Sequence, residues 1–137
     1  MTRLLVIDDE QINHQLVAHA LGSLNFELHF AGNGREGIST ARNIKPDIII
    51  TDVMMPEVNG YELTRMLRRE SQFAATPILV LTAQAGLQDK IKSFEVGADD
   101  HLTKPFEAPE LMVRVTSLLR RVEAAKAALP LNEIAKQ

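Results

Sequence analysis

The chain has 137 residues, 45% of them hydrophobic and 24% charged, with a formal net charge of -3 and no cysteine. That length supplies one domain with one sizeable core; the mild acidity argues against a dedicated nucleic-acid binder, and the missing thiols exclude a disulfide framework and a thiolate metal site. Met1-Thr2-Arg3 leads into only four apolar residues, too short a run for a signal peptide or a spanning helix, so a cytoplasmic chain with no membrane partner and no direct nucleic-acid binding is expected.

In chain order, Leu4–Ile7 reads as a strand, and Gln11–Leu24 as a helix with one buried face built from Ile12, Leu16, Ala20 and Leu24. Phe26–Phe30 alternates as an edge strand does. Glu36–Asn43 reads as a helix stopped by Lys45-Pro46. Asp47–Thr51 holds three consecutive isoleucines, the mark of a strand covered on both faces. Gly60–Glu70 is a helix that Asn59 caps, with Glu62 placed for a capping box. Pro77–Leu81 is a further buried strand, and Gly86–Glu95 a helix with Leu87, Ile91 and Phe94 on one side. Asp100–Thr103 is a short strand. Pro109–Val122 is the last helix, with Pro109 in its first turn and an apolar face from Leu111 to Val122. Ala124–Gln137 is an Ala-rich tail interrupted by Pro130, an extension of the last helix followed by a linker stub, and it points to an output domain beyond it.

Strands alternating with helices give an α/β fold, a doubly wound parallel sheet. Such sheets bind ligands beyond the carboxyl ends of their strands. The first strand ends in Asp8-Asp9-Glu10, the third in Asp52, the fourth in Thr82 and the fifth in Lys104-Pro105. One rim should therefore gather three carboxylates, a hydroxyl and an ammonium. Carboxylates that close resist ionising together, and a hard divalent cation such as Mg²⁺, which prefers carboxylate and water oxygens, relieves them. Phosphoryl transfer needs little beyond positioning and charge neutralisation, and an aspartate can serve as its nucleophile. Taken singly, Asp8-Asp9 reads as a helix N-terminal acid pair, Asp52 as turn chemistry, Thr82 as a helix cap and Lys104 as a solvated lysine. Their occurrence at the ends of four separate strands carries the case.

Asp8-Asp9, Asp52 followed by Met54-Met55-Pro56 and Gly60, Leu81-Thr82-Ala83, and Gly97-Ala98-Asp99-Asp100 running into Lys104-Pro105-Phe106 together resemble the response-regulator receiver domain, over about residues 3–122. The resemblance implies a flavodoxin-like sheet of five strands in the order 2-1-3-4-5 with five helices. It implies a receiver over residues 1–123 and a helical extension or linker stub over 124–137. Asp52 would be the phosphoacceptor. Asp9, Asp52 and the backbone carbonyl of Met54 would bind Mg²⁺ directly, with Asp8 acting through water. Thr82 and Lys104 would hold the phosphoryl oxygens, and the Lys104–Pro105 peptide would be cis. The donor would be a phosphohistidine on a histidine kinase or phosphotransfer protein. The chain would catalyse only its own phosphorylation and dephosphorylation.

In the family, phosphorylation draws the hydroxyl inward and turns an aromatic residue after it. His101 stands at that aromatic position, where a smaller, ionisable ring would make the switch weaker or sensitive to pH; the plainer alternative is a tolerated ring in the same slot. Residues 97–121 also resemble receivers of winged-helix transcription factors, which dimerise through the fourth helix, fifth strand and fifth helix. Lys90, Asp99, Asp100, Glu110 and Arg114 fall at or near the charged positions of such a homodimer interface. Met54 and Gln84 occupy positions that tune acyl-phosphate lifetime.

Three rivals remain at this point. Gly32-Asn33-Gly34-Arg35-Glu36-Gly37 fits the dinucleotide fingerprint of a Rossmann-type NAD-binding domain, although the simpler view is that the glycines permit a tight turn. A Mg²⁺ phosphatase would place a second Asp at position 54, where Met54 stands. A pseudo-receiver docking module would not need the complete set of acids, Thr82 and Lys104. His14, His19, His29 and His101 show no metal-ligand spacing, and His14 and His19 read as surface residues.

Overall fold

A computed structural model describes residues 1–84 and 86–136, with side-chain surroundings as far as residue 127. The elements are β1 (Thr2–Ile7), α1 (Gln11–Leu21), β2 (Phe26–Ala31), α2 (Gly34–Ile44), β3 (Ile48–Asp52), α3 (Gly60–Arg68), a 3₁₀ turn (Ser71–Phe73), β4 (Ile78–Thr82), α4 (Leu87–Glu95), β5 (Asp100–Thr103) and α5 (Ala108–Lys136). The five strands pair in parallel in the order β2-β1-β3-β4-β5. No described helix is long and apolar enough to cross a membrane.

Side chains alternate between the faces of a strand, and both faces here are apolar. Leu5, Ile7, Ile49, Ile78 and Val80 pack with Ile38 and Ala41 of α2 and Leu63 and Leu67 of α3. Leu4, Val6, Ile48, Ile50, Leu79 and Leu81 pack with Val17 and Leu21 of α1 and Leu111, Val115 and Leu118 of α5. The isoleucine run in β3 is thus buried from both sides.

Two helices differ from their sequence reading. In α1 the buried residues are Val17, Ala20 and Leu21, while Ile12 and Leu16 are 55% and 50% exposed. The window holds two overlapping apolar stripes, and contact with α5 and the sheet selects the second. The last helix runs past Val122 to Lys136, so Pro130 does not end it; Glu123–Leu129 is composed of strong helix formers. Gln137 lies outside the described residues.

The Gly32–Gly37 fingerprint has a packing explanation. Asn33 caps α2 by accepting from the Glu36 N–H at 2.8 Å. A Cβ on Gly34 would approach Val58 Cβ to 2.8 Å, and one on Gly37 would approach Ile7 Cδ1 to 2.7 Å. These glycines let α2 lie close against the sheet and the loop before α3.

Arg68 at the end of α3 ties four segments together. Its Nε donates to the Gly97 carbonyl at 2.9 Å, its Nη1 to those of Phe73 and Thr76 at 2.7 Å each, and its Nη2 to Asp99 at 2.7 Å. Asp99 also accepts from the Ile78 N–H at 2.8 Å. Arg68→Ala leaves three carbonyls without this donor, and the unfolding free energy in urea should fall by about 2–4 kcal/mol. Arg68→Lys should recover little of it, because an ammonium lacks the planar fork. An unchanged urea midpoint for the alanine variant would show that water replaces the guanidinium without cost.

Candidate functional site

The sheet order decides which polar residues meet. From β1 the chain turns outward to β2 and then crosses back to β3, so β1 and β3 flank the point where the order reverses. The crevice at such a point, beyond the carboxyl ends, is the natural ligand site of this architecture. Asp8 follows β1, Asp52 closes β3, Thr82 closes β4 and Lys104 follows β5. Asp8 is 2%, Asp52 7% and Thr82 0% exposed, while Asp9 faces solvent.

Lys104 Nζ sits 3.2 Å from Asp8 Oδ2 and 3.0 Å from Asp52 Oδ1. One carboxylate oxygen from each of Asp8, Asp9 and Asp52 lies within 4.8 Å of the others. Asp8 Oδ1 accepts from the Glu10 N–H at 3.0 Å. Burial lifts the Asp52 carboxyl above the usual carboxylate range, Lys104 pulls against that shift, and the nearby Asp8 charge adds to it. Burial disfavours the Lys104 charge, but the Asp52 and Asp8 carboxylates outweigh it and hold the ammonium above the usual lysine range. Three carboxylates against one ammonium leave surplus negative charge. The donors are all hard oxygens and one of them faces solvent, which is what a magnesium ion that keeps some of its waters requires. The residues present therefore fit Mg²⁺.

The model of one family, the response regulator receiver domain, matches residues 4–116. The chain belongs to that family. It is 40% identical over 137 residues to RpaA of Synechocystis, described as a DNA-binding dual master transcriptional regulator, covering 100% of this chain and 57% of RpaA. It is 40% identical over 119 residues to the transcriptional regulatory protein CusR of Escherichia coli K12, covering 87% of this chain and 52% of CusR. The receiver thus spans little more than half the length of these relatives. The chemotaxis protein CheY4 of Vibrio cholerae superposes with a TM-score of 0.81 at 35% identity, covering 86% of this chain and 98% of CheY4. Neither the dinucleotide nor the docking-module alternative is favoured by these likenesses.

Two connections shape the receiver's site. After β3, the Gly60 N–H donates to the Val53 carbonyl at 2.9 Å, and a Cβ at Gly60 would collide with the Asp52 carbonyl. Asn59 caps α3 by accepting from the Glu62 N–H at 2.9 Å. Met55 is buried, while Met54 projects to solvent with its Sδ 4.0 Å from Gln84 Nε2, across the mouth of the site. After β5, the Lys104 N–H donates to the Thr82 carbonyl at 2.7 Å, and the Lys104–Pro105 peptide is cis. The Thr82 hydroxyl accepts from the Gln84 N–H at 3.0 Å, which leaves its own proton available.

On the outer face, Asp99 is held by Arg68, and Asp100 is paired with Arg114 at 3.0 Å. Lys90 and Glu110 make no ion pair among the described residues. The side of α4 carrying Leu87, Ile91 and Phe94 faces outward, with Leu87 70% exposed, and Val113 of α5 is exposed as well. Of the nine residues of α4 only Ser93 is buried.

His14, read from sequence as a surface residue, instead reaches Asp8. Its Nε2 lies 2.8 Å from the Asp8 carbonyl oxygen, and its ring stacks on Phe30 with centroids 5.0 Å apart. Nothing in the sequence marks it, because a lone histidine in the second turn of a helix has no local signature. Ser93 was missed for the same reason.

His101 points into the receiver and is 7% exposed. The Ser93 hydroxyl donates to the Asp89 carbonyl at 3.0 Å, so His101 Nδ1–H, 2.9 Å away, donates to the Ser93 oxygen. Among the described residues His101 Nε2 is buried without a partner. Burial and the nearby Lys90 charge push the His101 pKa below its ordinary 6.5, with Arg114 adding to them and Asp100 and Asp89 opposing. The folded chain therefore keeps this ring neutral where the unfolded chain takes up a proton. The ring's contribution is intact above about pH 6.5 and is lost as pH falls below it, with a slope of at most about 1.4 kcal/mol per pH unit. His101→Phe should flatten that acid slope in urea unfolding relative to the parent chain; identical slopes would mean that the ring stays neutral in the unfolded chain or is freely protonated in the folded one.

Proposed function

We propose that Asp52 accepts a phosphoryl group from a phosphohistidine on a histidine kinase or phosphotransfer protein, with Mg²⁺ as cofactor. The observation that carries this reading is the meeting of Asp8, Asp9, Asp52 and Lys104 within hydrogen-bonding and metal-binding range. An Asp52 oxygen attacks phosphorus, the phosphorus–nitrogen bond breaks, and the imidazole leaves. The product is an acyl phosphate on Asp52. Water attack on the same phosphorus returns the carboxylate and releases inorganic phosphate. The chain thus catalyses only its own modification, and its setting is the cytoplasm.

Asp9, Asp52 and the Met54 carbonyl would hold the ion directly and Asp8 through water. Bound Mg²⁺ supplies charge neutralisation to the transferring group. Lys104 starts on Asp52 Oδ1 and is placed to follow the new negative charge onto a phosphoryl oxygen. Among the described residues the Thr82 proton has no protein acceptor, and it is donated as a hydrogen bond to another. Met54 and Gln84, facing each other over the mouth, meter the water that ends the phosphorylated state.

The output runs from Thr82 into the face made by α4, β5 and α5. His101 already lies inside, so the change falls on α4 rather than on entry of the ring. Exposed Leu87, Ile91, Phe94 and Val113 form the apolar part of a homodimer surface, with Lys90 and Glu110 left to pair across it. Asp99 is engaged by Arg68 and drops out of that surface, while Asp100 and Arg114 would need to exchange partners. A DNA-binding output domain is the proposed reader, in keeping with the description of RpaA as a DNA-binding transcriptional regulator.

Incubation with a small acyl-phosphate donor and Mg²⁺, followed by intact mass, should give one added phosphoryl group that is absent in Asp52→Asn and with a chelator. Incorporation that persists in Asp52→Asn would assign another acceptor. Size-exclusion of the phosphorylated chain should show a dimer that Ile91→Asp abolishes; elution at one position with and without phosphorylation at high concentration would count against the interface.

A further inference from the structure

Asp9 is the exposed carboxylate of the acidic cluster, and among the described residues no hydrogen bond or ion pair holds its side chain. Its neighbour Asp8 is held on every side. The Asp8 N–H donates to the Ala31 carbonyl at 3.0 Å, Oδ1 accepts from Glu10, and Oδ2 accepts from Lys104. The remaining group is the Asp8 carbonyl, and His14 takes it at 2.8 Å. A carbonyl only accepts, so His14 Nε2 carries the proton. Stacking on Phe30 of β2 fixes the plane of the donor ring.

The Asp8 carbonyl belongs to the same rigid peptide unit as the Asp9 nitrogen. Holding that oxygen fixes the plane from which the Asp9 Cα and carboxylate project. The usual device for pinning a loop to a helix start is absent: Glu10, at the N-cap of α1, makes no side-chain cap bond. His14 reaches back six residues and replaces it.

We propose that His14 is a positioning residue that aims the Asp9 carboxylate at the metal through the Asp8–Asp9 peptide. This rests on the proposed Mg²⁺ site. Groups that orient a metal ligand from outside the coordination sphere change affinity by roughly 10–100-fold when removed.

The test uses two variants of the full chain at one fixed pH. His14→Phe keeps a ring against Phe30 and removes the donor. His14→Gln loses the ring and offers an amide N–H at similar reach. Calorimetric titration with MgCl₂ should give roughly tenfold weaker binding for His14→Phe, with His14→Gln close to the parent chain. The Mg²⁺ concentration for half-maximal phosphorylation should rise by the same factor, while the apparent KM for the small phosphodonor stays unchanged. Parent-like Mg²⁺ affinity in His14→Phe overturns the proposal. Equal weakening in both variants also overturns it, because packing of the ring would then matter and not the donor. In either case a parent chain that binds Mg²⁺ and is phosphorylated leaves the receiver reading standing; a parent chain that binds no Mg²⁺ overturns both.

Discussion

The crowding of Asp8 and Asp52 around a single ammonium, with the exposed Asp9 carboxylate beside them, is the constraint from which the rest of this structure follows. Buried carboxylates that share one cation do not stabilise a fold; Asp52 titrates high because water has been removed from it. The apolar ladder beneath offsets that cost. Leu4 to Ile7 run beside Ile48 to Thr51 in strict register, so the acids beyond them are delivered to one place by backbone pairing rather than by mutual attraction. Strand pairing brings the carboxylates of the rim within 4.8 Å of one another.

The same register carries the site toward the outer face. Thr82 ends β4 opposite Thr103 of β5, and the Lys104 N–H binds the Thr82 carbonyl. Val80 of β4 lies beside His101, whose ring meets Ser93 of α4. Thr82 and Lys104 are therefore joined to α4 through two paired strands and the His101–Ser93 hydrogen bond.

The attachment of α4 is suited to respond. It buries one serine and no large apolar residue. What holds it is polar: Ser93 to His101, the Tyr61 hydroxyl to the Asp89 carbonyl at 3.4 Å, and Lys92 over the Tyr61 ring at 5.4 Å. Elements with little buried apolar area occupy the low end of local stability and are the ones that shift in signalling. Histidine at position 101 adds a hydrogen bond to this attachment and, among the described residues, leaves Nε2 unpaired. That unpaired nitrogen biases the receiver's packing toward a neutral ring.

Residue chemistry and local period determined much of this protein in advance. The run Ile48-Ile49-Ile50 required a strand covered on both faces, Asn59 required a helix start, and Asp8, Asp9, Asp52, Thr82 and Lys104 were legible because each ends a predicted strand. Tertiary structure decided what depends on distant neighbours. It chose Val17 and Leu21 over Ile12 and Leu16 as the inner stripe of α1, turned the apolar side of α4 outward, committed Asp99 to Arg68, and brought His14 to the Asp8 carbonyl. A helix carries two candidate stripes at overlapping spacing, and a lone Arg, Ser or His has no periodic signature. Only the surface that arrives from elsewhere in the chain can select among them.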